Sequence, residues 1–99
     1  VITQDNVEFY VKGLRLTGTR QELVLREAGT QTWLPLTLIQ NLRFTGPEMD
    51  RYRPVEIMLT TGEKVRGNLF VDCLLHGATD LGYWNMPLRK VERLEMGTE

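Results

Sequence analysis

Apolar and polar residues alternate with a period of two along much of this chain. Val55, Ile57 and Leu59 fall on one side of an extended segment, with Glu56 and Met58 on the other. Beyond Thr61-Gly62, Val65, Leu69 and Val71 share one side and Lys64, Arg66 and Asn68 the opposite one. Alternation of this kind marks strands with one buried face, so residues 55–71 predict a hairpin turned at Thr61-Gly62. Gly67 interrupts the inward row, where a missing side chain permits a sharp bend or the close approach of another backbone. Upstream, Val1 to Thr3 and Val7 to Lys12 flank Asp5-Asn6, a pair that tolerates positive φ, and predict a second hairpin. Leu14 and Leu16, then Leu23 to Leu25, then Gln31 to Leu34 follow, separated by turn residues at Thr17 to Gln21 and Ala28 to Thr30. Short runs punctuated in this way predict an all-β domain.

Two stretches echo each other. Thr32-Trp33-Leu34-Pro35-Leu36-Thr37-Leu38-Ile39-Gln40-Asn41-Leu42-Arg43-Phe44 shares its frame with Tyr83-Trp84-Asn85-Met86-Pro87-Leu88-Arg89-Lys90-Val91-Glu92-Arg93-Leu94-Glu95-Met96. Each contains Trp, then Pro-Leu, then Ile or Val, then Leu, and each runs on to a glycine, Gly46 or Gly97. Val-basic-Gly triplets precede both, at Val11-Lys12-Gly13 and Val65-Arg66-Gly67. The chain thus reads as two β repeats, 1–46 and 55–97, in one compact domain, joined by the proline-bracketed, charge-rich linker 47–54. Leu36, Ile39 and Leu42 are spaced by three and Leu42 and Phe44 by two, which predicts a 3₁₀-like turn running into a strand. A rival reading starts an amphipathic helix at Pro87. The expected fold is a tandem pair of bent antiparallel units with about seven or eight short strands, forming two small barrels or a single closed one.

The run Val55-x-Ile57-x-Leu59-x-x-Gly62-x-x-Val65-x-Gly67-x-Leu69, followed by Asp72, resembles the first signature of the Sm-like family, small bent β barrels that often form rings and bind RNA. Bent hairpins of SH3-like barrels favour the same glycines. The resemblance covers residues 55–72 and implies a strongly bent sheet. The spacing from Gly67 to Asp72 is one residue shorter than in that family. His76 stands where the family has an RNA-contacting asparagine, and Pro87-Leu88-Arg89-Lys90-Val91 replaces its second, Ile-Arg-Gly signature.

Composition narrows the function classes. The 99 residues carry 12 Lys and Arg against 13 Asp and Glu, a net charge of −1, so the chain lacks the overall basic excess of a protein held by phosphate contacts. One cysteine, Cys73, excludes an intrachain disulfide and any multi-cysteine zinc site. No apolar run is long enough to span a bilayer, so a soluble protein is expected, of the cytoplasm or the cell envelope. The chain begins at Val1 without methionine, which fits a mature form or a piece excised from a longer protein.

Candidate chemistry is sparse. Cys73 and His76 offer a thiol and an imidazole close in sequence, but activation needs a depressed thiol pKa and an orienting partner, and the bland reading is a packed cysteine and a loop histidine. Glu92 with Glu95, or Asp72 with Asp80, could do acid–base work only with one member buried; solvated surface is the plainer reading. Trp33 and Trp84 take the same place in their repeats and are expected to pack in the core. No cofactor or metal is implied. Arg51, Tyr52, Arg53, Lys64 and Arg66 are the candidate binding surface. The expected function is a non-catalytic interaction or assembly module, with exposed strand edges able to pair with a protein partner or a second copy. The alternative is an RNA or single-stranded nucleic-acid binder of Sm-like type.

Overall fold

The computed structural model describes residues 1–17 and 20–96. The protein is all-β. In chain order the described residues form β1 (Ile2–Thr3), β2 (Lys12–Leu16), β3 (Glu22–Glu27), β4 (Thr30–Pro35), β5 (Ile39–Phe44), β6 (Tyr52–Leu59), β7 (Lys64–Phe70), β8 (Leu74–Thr79), β9 (Gly82–Pro87) and β10 (Val91–Glu95). Single 3₁₀ turns, Leu36–Leu38 and Leu88–Lys90, precede β5 and β10. The strands pair antiparallel in two sheets, β1-β10-β5-β6-β7-β3-β4 and β2-β8-β9. Neither sheet closes on itself, so the single closed barrel entertained above is not formed. Gly18 and Thr19 of the turn after Leu16, and Gly97 at the end of the second repeat, lie outside the described residues.

Local chemistry accounts for the elements. Asn6 turns the first hairpin at φ 63°, and Gly62 turns β6 into β7 at φ 91°. Pro35 and Pro87 sit extended at φ −61° and −62° and open the two 3₁₀ turns. Helix does not propagate from Pro87, because Val91 to Glu95 pair as a strand with β5. The spacing of three between inward residues has a cause in the pairing. Ile39 and Asn41 face Leu59 and Met58, and Val91 and Arg93 face Thr3 and Ile2, so each strand carries one extra residue as a bulge. β6 begins at Tyr52, so strand absorbs the last three residues of the expected linker 47–54. Pro54 is tolerated there because it lies just past the end of the β5–β6 ladder, where its carbonyl accepts from Thr45 N–H at 2.9 Å. Gly67 makes the expected close approach: a Cβ there would lie 2.6 Å from the Arg26 carbonyl oxygen.

The pairing registers repeat with a displacement of 52 positions. Glu22 faces Pro35 and Glu27 faces Thr30 in β3–β4, as Leu74 faces Pro87 and Thr79 faces Gly82 in β8–β9. Where β5 meets β10, Leu42 faces Leu94, while Arg43 faces Arg93 and Asn41 faces Glu95. That register is unchanged when the two strands are exchanged, as a two-fold axis through the Leu42–Leu94 pair requires. β7 pairs with β3 as β2 pairs with β8, and β6 with β5 as β1 with β10. The β1–β10, β10–β5, β5–β6, β7–β3 and β2–β8 pairings join the two halves of the sequence, whereas β6–β7, β3–β4 and β8–β9 each lie within one half.

Buried leucines, valines, Phe44 and Ile57 fill one core, with Leu42, Ile57, Leu69, Leu75, Leu88 and Val91 fully shielded. Of the two tryptophans expected in the core, Trp84 packs there and Trp33 corrects the expectation. Trp84 is 9% exposed and Trp33 45%. Trp33 stands two residues before its proline and Trp84 three, so by register Trp33 matches the exposed Asn85 and Trp84 matches Thr32. One residue of displacement in a strand reverses the face a side chain occupies.

Candidate interaction site

The outer face of the seven-stranded sheet gathers most of the basic and aromatic residues of interest. Outward positions lie in rows across the strands. Arg93, Arg43, Glu56 and Arg66 form one row, and Glu95, Asn41, Met58 and Lys64 the next. Pro54, Asn68, Arg26 and Gln31 form a third. Tyr52 faces Phe70, and Val24 faces Trp33, at the far end. Neighbouring strands are about 4.8 Å apart, so each row presents its side chains at van der Waals to ion-pair range.

Arg43 and Arg93 are both exposed and directly opposite, an arrangement that costs stability because like charges face each other across the ladder. Glu56, the cross-strand neighbour of Arg43, is engaged elsewhere: its carboxylate lies 3.4 Å from Arg66 Nε and 4.0 Å from Lys64 Nζ. Among the described residues neither Arg43 nor Arg93 has a carboxylate within ion-pair distance. A shallow depression of about 270 Å³ lies over Asn41 and Met58 between these charges. At the aromatic end, Arg26 sits 4.3 Å over the Tyr52 ring, Tyr52 meets Phe70 edge-on at 5.5 Å, and Arg20 lies 5.9 Å over Trp33.

The five candidate residues divide. Lys64 and Arg66 join Glu56 at one end of the β6–β7 hairpin, and Tyr52 stands at the other, on the same outer face. Arg51, at φ 69° in the turn before β6, points to Asp72, with Nε 4.0 Å from the carboxylate. Arg53 turns inward and is 4% exposed. Its Nε donates to the Gly46 carbonyl at 3.1 Å, and Nη1 to the carbonyls of Val91 at 2.8 Å and Arg89 at 3.2 Å. Nη2 lies 3.7 Å from Glu92, and the guanidinium rests 4.3 Å from the Phe44 ring centroid. Arg53 thus ties β6 to β10 and lies off the surface that the other residues line. Alternation along β6 was the signal for this, since Arg53 shares its parity with Val55 and Ile57. Arg43 and Arg93 escaped sequence reasoning because only the pairing of β5 with β10 brings them together.

The thiol and imidazole are not brought together. Cys73 lies in the bend before β8 and His76 within that strand, and no hydrogen bond joins them among the described residues. The His76 ring bridges the Thr17 hydroxyl and the Tyr83 hydroxyl. Cys73 is half-buried, and desolvation, aided by the Asp72 charge, pushes its thiol up to about 11. Asp72 receives Arg89 at 3.0 Å, and Arg89 also reaches Glu48 at 3.3 Å. Among the described residues no group of three or more His, Cys, Asp or Glu side chains is placed to hold a metal ion. Among the described residues no helix is long and apolar enough to cross a membrane.

Comparison with known protein families gives no match to this chain, and comparison with curated proteins gives none.

Proposed function

We propose that the chain is a non-catalytic interaction module, built as a duplicated small β unit of SH3-like type, that docks an acidic protein partner on the outer face of its seven-stranded sheet. The duplication is supported by the common displacement of 52 between the two strand–3₁₀–strand elements and by the exchange-invariant register of β5 with β10. The docking reading is carried by the unpaired Arg43–Arg93 couple, a charge concentration that a partner's carboxylates would relieve. Composition agrees with it. Arginine, tryptophan, tyrosine and phenylalanine are enriched at protein interfaces, and this face joins Trp33, Tyr52, Phe70, Arg26 and Arg66 on a rigid sheet.

The second reading, single-stranded nucleic acid, draws on the same cations with the aromatic row, since bases stack on exposed rings beside a basic track. Against it, the Tyr52 ring is already occupied by Arg26. The test is a titration with a fluorescent Asp/Glu-rich peptide and, separately, a short oligo-RNA, at low and moderate salt, on the native chain and on the Arg43→Gln/Arg93→Gln double variant. Docking of an acidic partner expects peptide binding that weakens at least tenfold in the variant. RNA bound in preference to the peptide, with quenching of Trp33, would move the assignment to nucleic acid. Peptide binding indifferent to the double variant sinks the proposed face.

A further inference from the structure

The two sheets end in four strands, and these are not equally protected. A terminal strand leaves alternate backbone N–H and C=O groups unpaired, and natural sheets blunt such edges with charges, bulges or proline. β2 carries Lys12 and Arg15, with a register shift between them. β1 also pairs with β10 across a register shift. β4 has none of these devices over its first five residues. Thr30-Gln31-Thr32-Trp33-Leu34 contains no charge, its pairing with β3 runs without a shift, and its one proline, Pro35, stands last. Thr30, Gln31, Thr32 and Trp33 are all exposed. β1 and β10, the first and last strands of the chain, lie side by side at the other end of the seven-stranded order, remote from this edge.

The direction of the free groups follows from the pairing. Leu36 N–H donates to the Gln21 carbonyl at 3.0 Å, towards β3. Alternation along an antiparallel ladder then turns the N–H and C=O of Leu34, Thr32 and Thr30 towards β3 and those of Gln31 and Trp33 outward. Two such strands placed antiparallel about a two-fold axis at Thr32 set Gln31 of each opposite Trp33 of the other. All four outward N–H groups then find outward carbonyls. Thr32 meets Thr32, Thr30 meets Leu34, and Pro35 falls beyond the ladder. Centring the axis one residue later, at Trp33, would place Pro35 opposite Gln31 and lose a donor. The side chains agree with the Thr32 register, since threonine pairs are favourable across strands and no like charges meet. Trp33, half-exposed on the outer face, gains a covering neighbour.

We propose that β4 is a homodimer edge, on which a second copy of this chain adds its own β4 antiparallel about Thr32 and continues the seven-stranded sheet across the two-fold. The molecule already joins its halves in this manner, because β5 and β10 pair in a register unchanged by exchange. β9 ends the other sheet and is also uncharged and regular, but its Gly82 and Asn85 are poor strand formers and its indole, Trp84, is already packed on Phe9. Four strand steps separate β4 from β5, so the contact does not rest on the Arg43–Arg93 reading.

Sedimentation of the native chain from about 10 μM to about 1 mM, the range suited to a small two-strand contact, tests the proposal. Expected is a rise from monomer towards twice the monomer mass and no further, with slowed amide exchange at Gln31 and Trp33 and blue-shifted Trp33 emission at the high end. Thr32→Lys and Thr32→Asp each set like charges face to face at the axis, and each is expected to weaken dimerisation at least tenfold. Their equimolar mixture is expected to dimerise again, which a merely misfolded variant would not do. A native chain that stays monomeric throughout overturns the proposal, and so does a mixture no more associated than its components. Growth beyond a dimer with protection at Tyr83 and Asn85 overturns it too, because β4 would then pair head-to-tail with β9 of the next copy.

Discussion

Leu42 of β5 faces Leu94 of β10 in the larger sheet, both essentially without solvent exposure, and each is the other's match under the displacement of 52. The pair joins the two halves of the sequence into one core. Truncating either to alanine removes buried methyl groups where the surrounding strands cannot collapse, at a cost of about 2–5 kcal/mol. Because the two touch the same space, the double variant is expected to lose less than the two single losses added. Urea denaturation of the three variants measures both; full additivity would show that the two side chains do not share a cavity.

Arg53 is expected to be a stability residue. Replacement by alanine leaves the carbonyls of Gly46, Arg89 and Val91 without their donor and Glu92 without its cation. A loss of about 3 kcal/mol or more follows from stranding buried acceptors. Arg53→Met keeps the packing on Phe44 and is expected to recover part of that loss. If Arg53→Ala melts with the native chain, its inward orientation is not that of the protein in solution.

Arg43 and Arg93 make the opposite prediction, since each raises the energy of the free protein. Arg93→Gln removes a like-charge cross-strand contact and is expected to stabilise by about 0.2–1 kcal/mol at low salt. The gain should shrink towards zero in ~1 M salt, where the Debye length is about 3 Å. Thermal melts of the native and variant chains at two ionic strengths test it, and a destabilised variant would point to a carboxylate partner for Arg93.

Alternation placed the hairpin around Gly62 with its correct inward row, and the two Pro-Leu segments read as short turns into strands. Both depend on contacts near in sequence, or on a face that buries regardless of partner. The face of Trp33 was not legible from the shared frame, because one residue fewer before the proline looks trivial in an alignment yet inverts a side chain in a strand. The interleaving of strands from the two halves was beyond local pattern, since β7 could satisfy its edge equally with β8 or β3. The same holds for the Arg43–Arg93 couple, which exists only through pairing between distant segments. Of the candidate surface, Lys64, Arg66 and Tyr52 lie on the basic and aromatic face, and the two residues central to it were not foreseen.

Cys73 gives a pH signature. Burial chiefly, and the Asp72 charge next, raise its thiol from 9.0 to about 11, with Arg89 acting the other way. Between those values the unfolded chain has released the thiol proton while the folded chain retains it, so the free energy of unfolding falls as pH rises. The stability this group contributes is complete below pH 9.0 and is lost as pH rises towards about 11. Cys73→Ala, compared with the native chain across that window, is expected to lose less stability, and the difference between the two should be constant below it. A difference that does not change with pH would mean that the thiol is freely solvated.

The tryptophans test the one-residue displacement itself. Trp84 packs against Phe9 inside the core, whereas Trp33 is 45% exposed beneath Arg20. Trp84→Ala is expected to cost about 3–5 kcal/mol through the cavity it leaves. Trp33→Phe, at a surface position, should change stability by no more than about 0.5 kcal/mol. The emission that survives in Trp84→Phe should be red-shifted and readily quenched by acrylamide, and that surviving in Trp33→Phe blue-shifted and protected. Were the two residues equivalent, as their shared frame suggests, both single-tryptophan chains would give the same spectrum. Distinct spectra, together with unequal stability losses, separate a core indole from a surface one and so fix the register of β4 against β3 by a measurement in solution.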